Sequence, residues 1–182
     1  LINALMGKVK LGSPLALKEF EILLSLEEEN RTKFLDAGIE ELDWQIWEAI
    51  NCNCIEWIYE NRDLIKDKVK NGIKVLTSDF EGPNEVHPFL LAIEPGRTNL
   101  NILEHFLNMG ANINELGKQY GNSALILAVR NHDLEVVKYL LEKKIDTTLK
   151  NKKGETALSV ALSQSNSIDW KSNNNAQEDE KK

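Results

Sequence analysis

The chain has 182 residues, 42% of them hydrophobic and 28% charged, and Lys plus Arg at 22 against Asp plus Glu at 29 sets a formal charge of −7. That apolar content excludes a wholly disordered chain. Apolar runs such as Ile22-Leu23-Leu24 and Phe89 to Ile93 are too short for membrane insertion. The acidic balance argues against a nucleic-acid partner, which favours a basic excess.

Two cysteines cannot build a disulfide framework, so the chain is expected in a reducing, intracellular setting, the cytoplasm. It begins at Leu1 without a signal-peptide pattern and reads as a piece of a longer protein. Lys outnumbers Arg 18 to 4 and Asn occurs 19 times, a bias that suggests an AT-rich genome and carries no information on fold.

Taken in order, Ser13-Pro14 opens a long predicted helix to about Asn30, with Leu15, Phe20, Leu23 and Leu24 inward. A short helix from Thr32 to Ala37 follows and ends at Gly38. Ile46 to Ile50 and Ile55 to Tyr59 read as a degenerate helix pair, with Asn53 and Glu56 spaced as a capping box. Residues 61–71 form a short helix between Asn61 and Gly72. Residues 1–80 are thus either divergent repeats or a separate helical region.

From residue 81 a repeat is legible. Gly121 and Gly154 are 33 apart, and Ala124/Ala157, Leu125/Leu158 and Ala128/Ala161 keep that offset. His87-Pro88-Phe89-Leu90-Leu91-Ala92-Ile93 fits the same template, its Ala92 lying 36 before Ala128. A second helical pattern follows each of the first two runs: Leu100, Leu103, Phe106, Leu107, then Leu134, Val137, Leu140, Leu141. Both sets occupy one face of a helix. Ser123 and Thr156 stand at helix N-caps, as does Asp133 or Asn131 before Leu134. Pro88 stands at a first helical position, and Gly110 at a helix C-terminus. Beyond residue 163 the composition turns polar, so 164–182 is expected to stay largely disordered, with Ile168 and Trp170 as a partial cap.

Candidate chemistry is sparse. Cys52 and Cys54 lack a second ligand pair for zinc, and one of them is expected to be partly exposed. His87, His105 and His132 are scattered, and no nucleophile context joins a cysteine to a histidine. Glu27-Glu28-Glu29 and Glu40-Glu41 read as solvated faces. Gly117, Gly121 and Gly154 are turn glycines outside any phosphate-binding pattern. No catalytic residue, metal or cofactor is predicted. Trp47 and Trp57 read as core residues, Trp44 and Trp170 as exposed anchors.

The period, the caps and the helix faces over residues 84–163 resemble the ankyrin repeat. Met109-Gly110-Ala111-Asn112-Ile113-Asn114 resembles the family's repeat end, and Leu134 to Leu141 its second helix. Departures are Ser123-Ala124 and Thr156-Ala157 for Thr-Pro, His132 for the inter-helix glycine, and Lys144-Ile145-Asp146 for Gly-Ala-Asp. The resemblance implies an all-α solenoid of stacked helix pairs over 81–163 and a protein–protein interaction module. It implies contacts from the hairpin tips and first-helix ends: Gln119, Tyr120, Asn122, Arg130, Asn131, Lys152, Lys153 and Glu155. Lys150 to Lys153 adds a basic edge. The expected partner is a protein, and the chain itself is expected to be monomeric. With the composition, the resemblance suits an effector of an intracellular bacterium acting in a host cell. The alternative is the C-terminal part of an enzyme whose catalytic domain lies upstream.

Overall fold

A computed structural model describes residues 15–76, 83–95 and 98–165. Ser13, Pro14, Ile168, Trp170 and the polar tail from 166 lie outside the described residues. Ten helices and one two-stranded sheet follow in order among the described residues. They are α1 (Leu17–Leu26), α2 (Glu28–Asp36), α3 (Glu41–Asn51), α4 (Ile55–Glu60), α5 (Arg62–Asn71), β1 (Ile73–Leu76), β2 (Pro83–Val86), α6 (Pro88–Leu91), α7 (Leu100–Asn108), α8 (Ala124–Arg130) and α9 (Leu134–Glu142), then α10 over 157–165.

The repeat pattern organises the helices as expected. Ser123 Oγ accepts from Ile126 N at 3.3 Å and Asp133 Oδ1 from Val136 N at 3.1 Å, so these two caps start α8 and α9. Thr156 Oγ1 accepts from Ser159 N at 3.2 Å at the head of α10. Each cap satisfies a first-turn N–H that the helix leaves without a partner. α7 ends on Gly110 at φ +95, and Ala111 N closes the turn onto Phe106 O at 2.9 Å. α9 ends the same way on Lys144 at φ +60, with Ile145 N bonded to Leu140 O at 3.1 Å. A lysine there adopts a left-handed conformation that favours glycine.

The same signature reaches into the N-terminal half. Asn53 sits at φ +54 between α3 and α4, as His132 sits at φ +56 between α8 and α9. Cys54 N bonds Ala49 O at 2.9 Å, and Asp133 N bonds Ala128 O at 3.0 Å. α3 and α4 therefore turn as a repeat's helix pair turns. The longer spacing before the next unit is taken up by α5 and by the β1–β2 hairpin. The predicted capping box is not formed: Cys54 is the N-cap of α4, Asn53 Oδ1 accepts from Asn99 Nδ2 at 2.6 Å, and Glu56 accepts from Leu17 N at 2.9 Å. Asn61 precedes α5 without a side-chain cap and donates to Trp57 O instead.

Three further expectations are corrected. The helix expected to reach Asn30 ends at Leu26, and Glu27 (ψ 39) breaks it. The break redirects α2 so that Phe34 meets Trp47, ring centroids 5.1 Å apart. The antiparallel pair β1–β2, with Ile73 opposite Val86 and Leu76 opposite Pro83, was not anticipated. Ile73 and Val75 alternate into the core from β1, a period of two that four residues are too few to reveal. On α9 the buried positions are Val136 and Leu140, while Leu134 and Leu141 are exposed.

One continuous apolar core runs from Leu15 to Val160. It includes Trp44, which is fully buried rather than an exposed anchor, and Trp57, edge-on to Phe20 at 5.7 Å.

Candidate protein-binding site

Successive units place their connecting loops side by side. β1–β2 is the longest hairpin. The next is pinned by a bridge between Leu116 and Ser123, and the third by Asn151 N bonding Glu155 O at 3.0 Å. Neighbouring tips are laced together. Lys152 N donates to Tyr120 O at 2.9 Å, Lys152 Nζ to Lys118 O at 2.6 Å, and Lys118 Nζ approaches Glu85 Oε1 at 2.5 Å. Gly121, at φ +69, lies against the Lys152 backbone, where a Cβ would come within 3.0 Å of its N atom.

Between these loops and the first helices runs a groove of about 350 Å³. Val86, Leu90, Leu91 and Leu127 supply its apolar lining, and Tyr120 contributes an aromatic ring from the loop. Its charges balance: Glu85 and Glu94 against Lys118 and Arg130. The Lys118 ammonium holds Glu85 below the usual carboxylate range. Glu155 is likewise held low, by hydrogen bonding from Asn151 and by the Arg130 guanidinium, whose Nη2 lies 2.7 Å from Glu155 Oε2.

Of the eight residues implied as contacts, five line this groove: Gln119, Tyr120, Asn122, Arg130 and Asn131. Lys152, Lys153 and Glu155 lie on the adjacent tip. The structure separates them by availability. Tyr120 is 53% exposed and Lys153 is exposed. Asn122 is buried and accepts from Asn151 Nδ2 at 3.1 Å; Asn131 donates to Ile93 O at 2.6 Å. Both amides hold the scaffold. Glu155 and Lys152 are engaged by the bonds given above. Residues missed from sequence are half-buried Leu127 and the pair Glu85 and Lys118, which joins two separate loops; Leu90 and Leu91 are core residues, 6% and 3% exposed, that form the groove floor.

Cys52 and Cys54 are both buried, correcting the expectation that one is partly exposed. Burial pushes the Cys54 thiol up to about 11 and that of Cys52 up as well, and Cys52 Sγ donates to Glu48 Oε1 at 3.1 Å. Neither offers a thiolate nucleophile near neutral pH. Among the described residues no group of three or more His, Cys, Asp or Glu is placed to hold a metal, and no helix is long and apolar enough to cross a membrane.

Comparison with known proteins places this geometry. A search of curated sequences finds no match. One chain of a solved complex, the predatory endopeptidase Bd0816 from Bdellovibrio bacteriovorus with immunity protein Bd3460, is 29% identical, with a TM-score of 0.51 over 68% of this chain. The present chain spans 58% of the length of that solved chain. A family model described as ankyrin repeats in three copies matches residues 47–151 and, overlapping, 89–170, so the match begins well before residue 84. With a family match over more than half its length and the repeated turn-and-cap geometry beneath it, the chain belongs to the ankyrin-repeat family, whose repeats are protein–protein interaction modules.

Proposed function

We propose that the groove between β2, α6, the Leu116–Ser123 loop and α8 takes a polypeptide segment of a protein partner. The observation that carries this reading is the half-exposed Tyr120 ring beside the apolar lining of Leu90, Leu91 and Leu127. An exposed aromatic next to an apolar, concave surface is the usual anchor of a protein interface. Gln119 and the Arg130–Glu155 pair flank it with polar groups that orient a bound chain. Lys153 on the next tip extends the surface.

In this reading the stretch is a binding module, and it requires no catalytic group. The two free buried thiols support a reducing, intracellular setting.

A photo-crosslinking amino acid placed at position 119 tests the site in cells. A defined protein is expected to be captured there and not from position 66 on α5. Tyr120→Ala and Arg130→Ala are each expected to weaken capture about tenfold or more. Equal capture by the Tyr120→Ala variant would refute the choice of face.

A further inference from the structure

The β1–β2 hairpin has a main-chain edge that its own pairing does not use. Facing residues of an antiparallel pair alternate: one pair exchanges both backbone bonds, the next turns its N–H and C=O outward. Three observations set the phase of this hairpin. Lys74 N donates to Asp43 Oδ2 at 2.8 Å, away from β2, so Lys74 and its facing residue Glu85 form an outward pair. Val86 O lies on the β1 side, 3.1 Å from where a Cβ on Gly72 would stand, as a bonded Ile73–Val86 pair requires. Pro83 shares the phase of Glu85, the phase in which a missing N–H costs no ladder bond. The outer edge of β2 therefore presents the N–H and C=O of Glu85 and the C=O of Pro83. Among the described residues no other backbone group bonds the Glu85 main chain.

This edge borders the loop-side groove. Asn84, Glu85 and Val86 all line the groove and are half-buried. Side chains of a strand alternate between its faces, so a space lined by three residues in succession borders the backbone itself. Across the groove, the Leu116–Ser123 loop is tied to the next tip by a main-chain bond, Lys152 N to Tyr120 O at 2.9 Å. Among the described residues no such bond ties it to β2. Side chains join them instead: Lys118 Nζ with Glu85 Oε1, and His87 Nε2 at 3.4 Å from Glu115 Oε1. The groove's other charges are also engaged, Arg130 with Glu155 at 2.7 Å, and Glu94 within the chain. A charged ligand would have to displace one of these pairs. A peptide backbone meets an open donor and two open acceptors.

We propose that the occupant of the groove is an extended, uncharged peptide segment that joins β2 as a third strand. Its backbone bonds the N–H and C=O of Glu85, and its alternate side chains pack on Leu90, Leu91 and Leu127. In strand addition the main-chain bonds supply affinity and the alternate side chains supply specificity. The inference rests on the groove reading above and adds the conformation and charge of the bound segment.

The probe is a linear peptide selected from a random library on the full 182-residue chain and kept only if it crosslinks from position 119. Methylating its backbone nitrogens one at a time removes one donor at a time. Alternate positions should weaken binding about tenfold or more, and the positions between them should not. Affinity should change less than about threefold between low and high salt. Glu85→Pro deletes the outward N–H and should bind at least about tenfold more weakly than Glu85→Ala, which keeps the N–H and loses the same carboxylate. Circular dichroism checks that both variants fold, and the methylation scan decides alone if Glu85→Pro does not. Sensitivity spaced three or four residues apart would mark a helical occupant and overturn the inference while leaving the groove reading intact. Equal binding by the two folded Glu85 variants, or a steep salt dependence, would do the same. Failure to recover any peptide that crosslinks from position 119 would overturn both readings.

Discussion

Asp43 is the residue whose removal should cost most for its size. Its carboxylate, on α3, is 3% exposed; Oδ1 lies 2.7 Å from Lys68 Nζ on α5, and Oδ2 accepts from Lys74 N on β1 at 2.8 Å. One side chain thus joins three elements, including the strand whose partner β2 forms one wall of the proposed groove. Asp43→Ala leaves the Lys74 amide without its acceptor and leaves Lys68 with Glu40 alone, an exposed partner at 2.7 Å. Breaking a buried pair by removing one member costs about 3–5 kcal/mol. The Lys68 side chain is 26% exposed and keeps Glu40, which puts the expected loss near the lower end, about 3 kcal/mol. In a domain of this size that is a fall in Tm of about 6–12 °C. Asp43→Asn keeps an acceptor for Lys74 and should lose roughly half as much. Lys68→Met should be costly alone and less so combined with Asp43→Ala, because the pair then leaves together. Urea unfolding followed by circular dichroism measures all four. A loss below about 1 kcal/mol for Asp43→Ala, or strict additivity with Lys68→Met, would refute the account of a shared buried pair.

Three further outcomes follow from the same structure. Asn151→Ala should destabilise by about 1–3 kcal/mol, because Asn151 is buried and its Oδ1 accepts from both Lys153 N (2.9 Å) and Glu155 N (3.0 Å), whereas Tyr120→Ala should stay within about 0.5 kcal/mol in the same urea titration. Leu125→Ala should cost about 2–5 kcal/mol, while Leu158→Ala, one repeat later and exposed, should cost less than about 1 kcal/mol. Glu104 Oε2 lies 2.6 Å from both Lys143 Nζ and Tyr139 Oη, and these bonds hold its carboxyl below the ordinary value of 4.5. A depressed acid stabilises the fold above its unfolded pKa and loses that contribution as pH falls through the folded one. Glu104→Gln should therefore lower Tm modestly at pH 7 and converge on the unsubstituted protein as pH falls below about 4.5, leaving a flatter acid limb; an unchanged difference across that range would sink this assignment.

Much of the fold was legible because its devices are local. A hydroxyl or carboxylate at Ser123, Thr156 and Asp133 caps the helix beside it, and Gly110 ends the helix before it. A regular offset also carries the same choices from unit to unit, so Leu125 and Leu158 could be aligned before any contact was known. The N-terminal half was harder to read because Asn53, Cys54 and the α5 insertion keep the repeat's backbone turn while changing its residues. The candidate site was half legible. The loop tips named from sequence lie side by side in the structure, but sequence position could not tell an exposed side chain from an engaged one. Tyr120 and Asn122 stand two residues apart, and only the stacking of the next loop buries Asn122 against Asn151.

The sequence by itself determined the helix pairs, their period and their caps, because these depend on residues within a turn or two of one another. Only the tertiary structure decided which apolar side chains face another unit and which face water. Leu134 and Leu141 look like core residues in any window of sequence. They are exposed because burial depends on what stacks next, and that is not encoded in the helix that carries them.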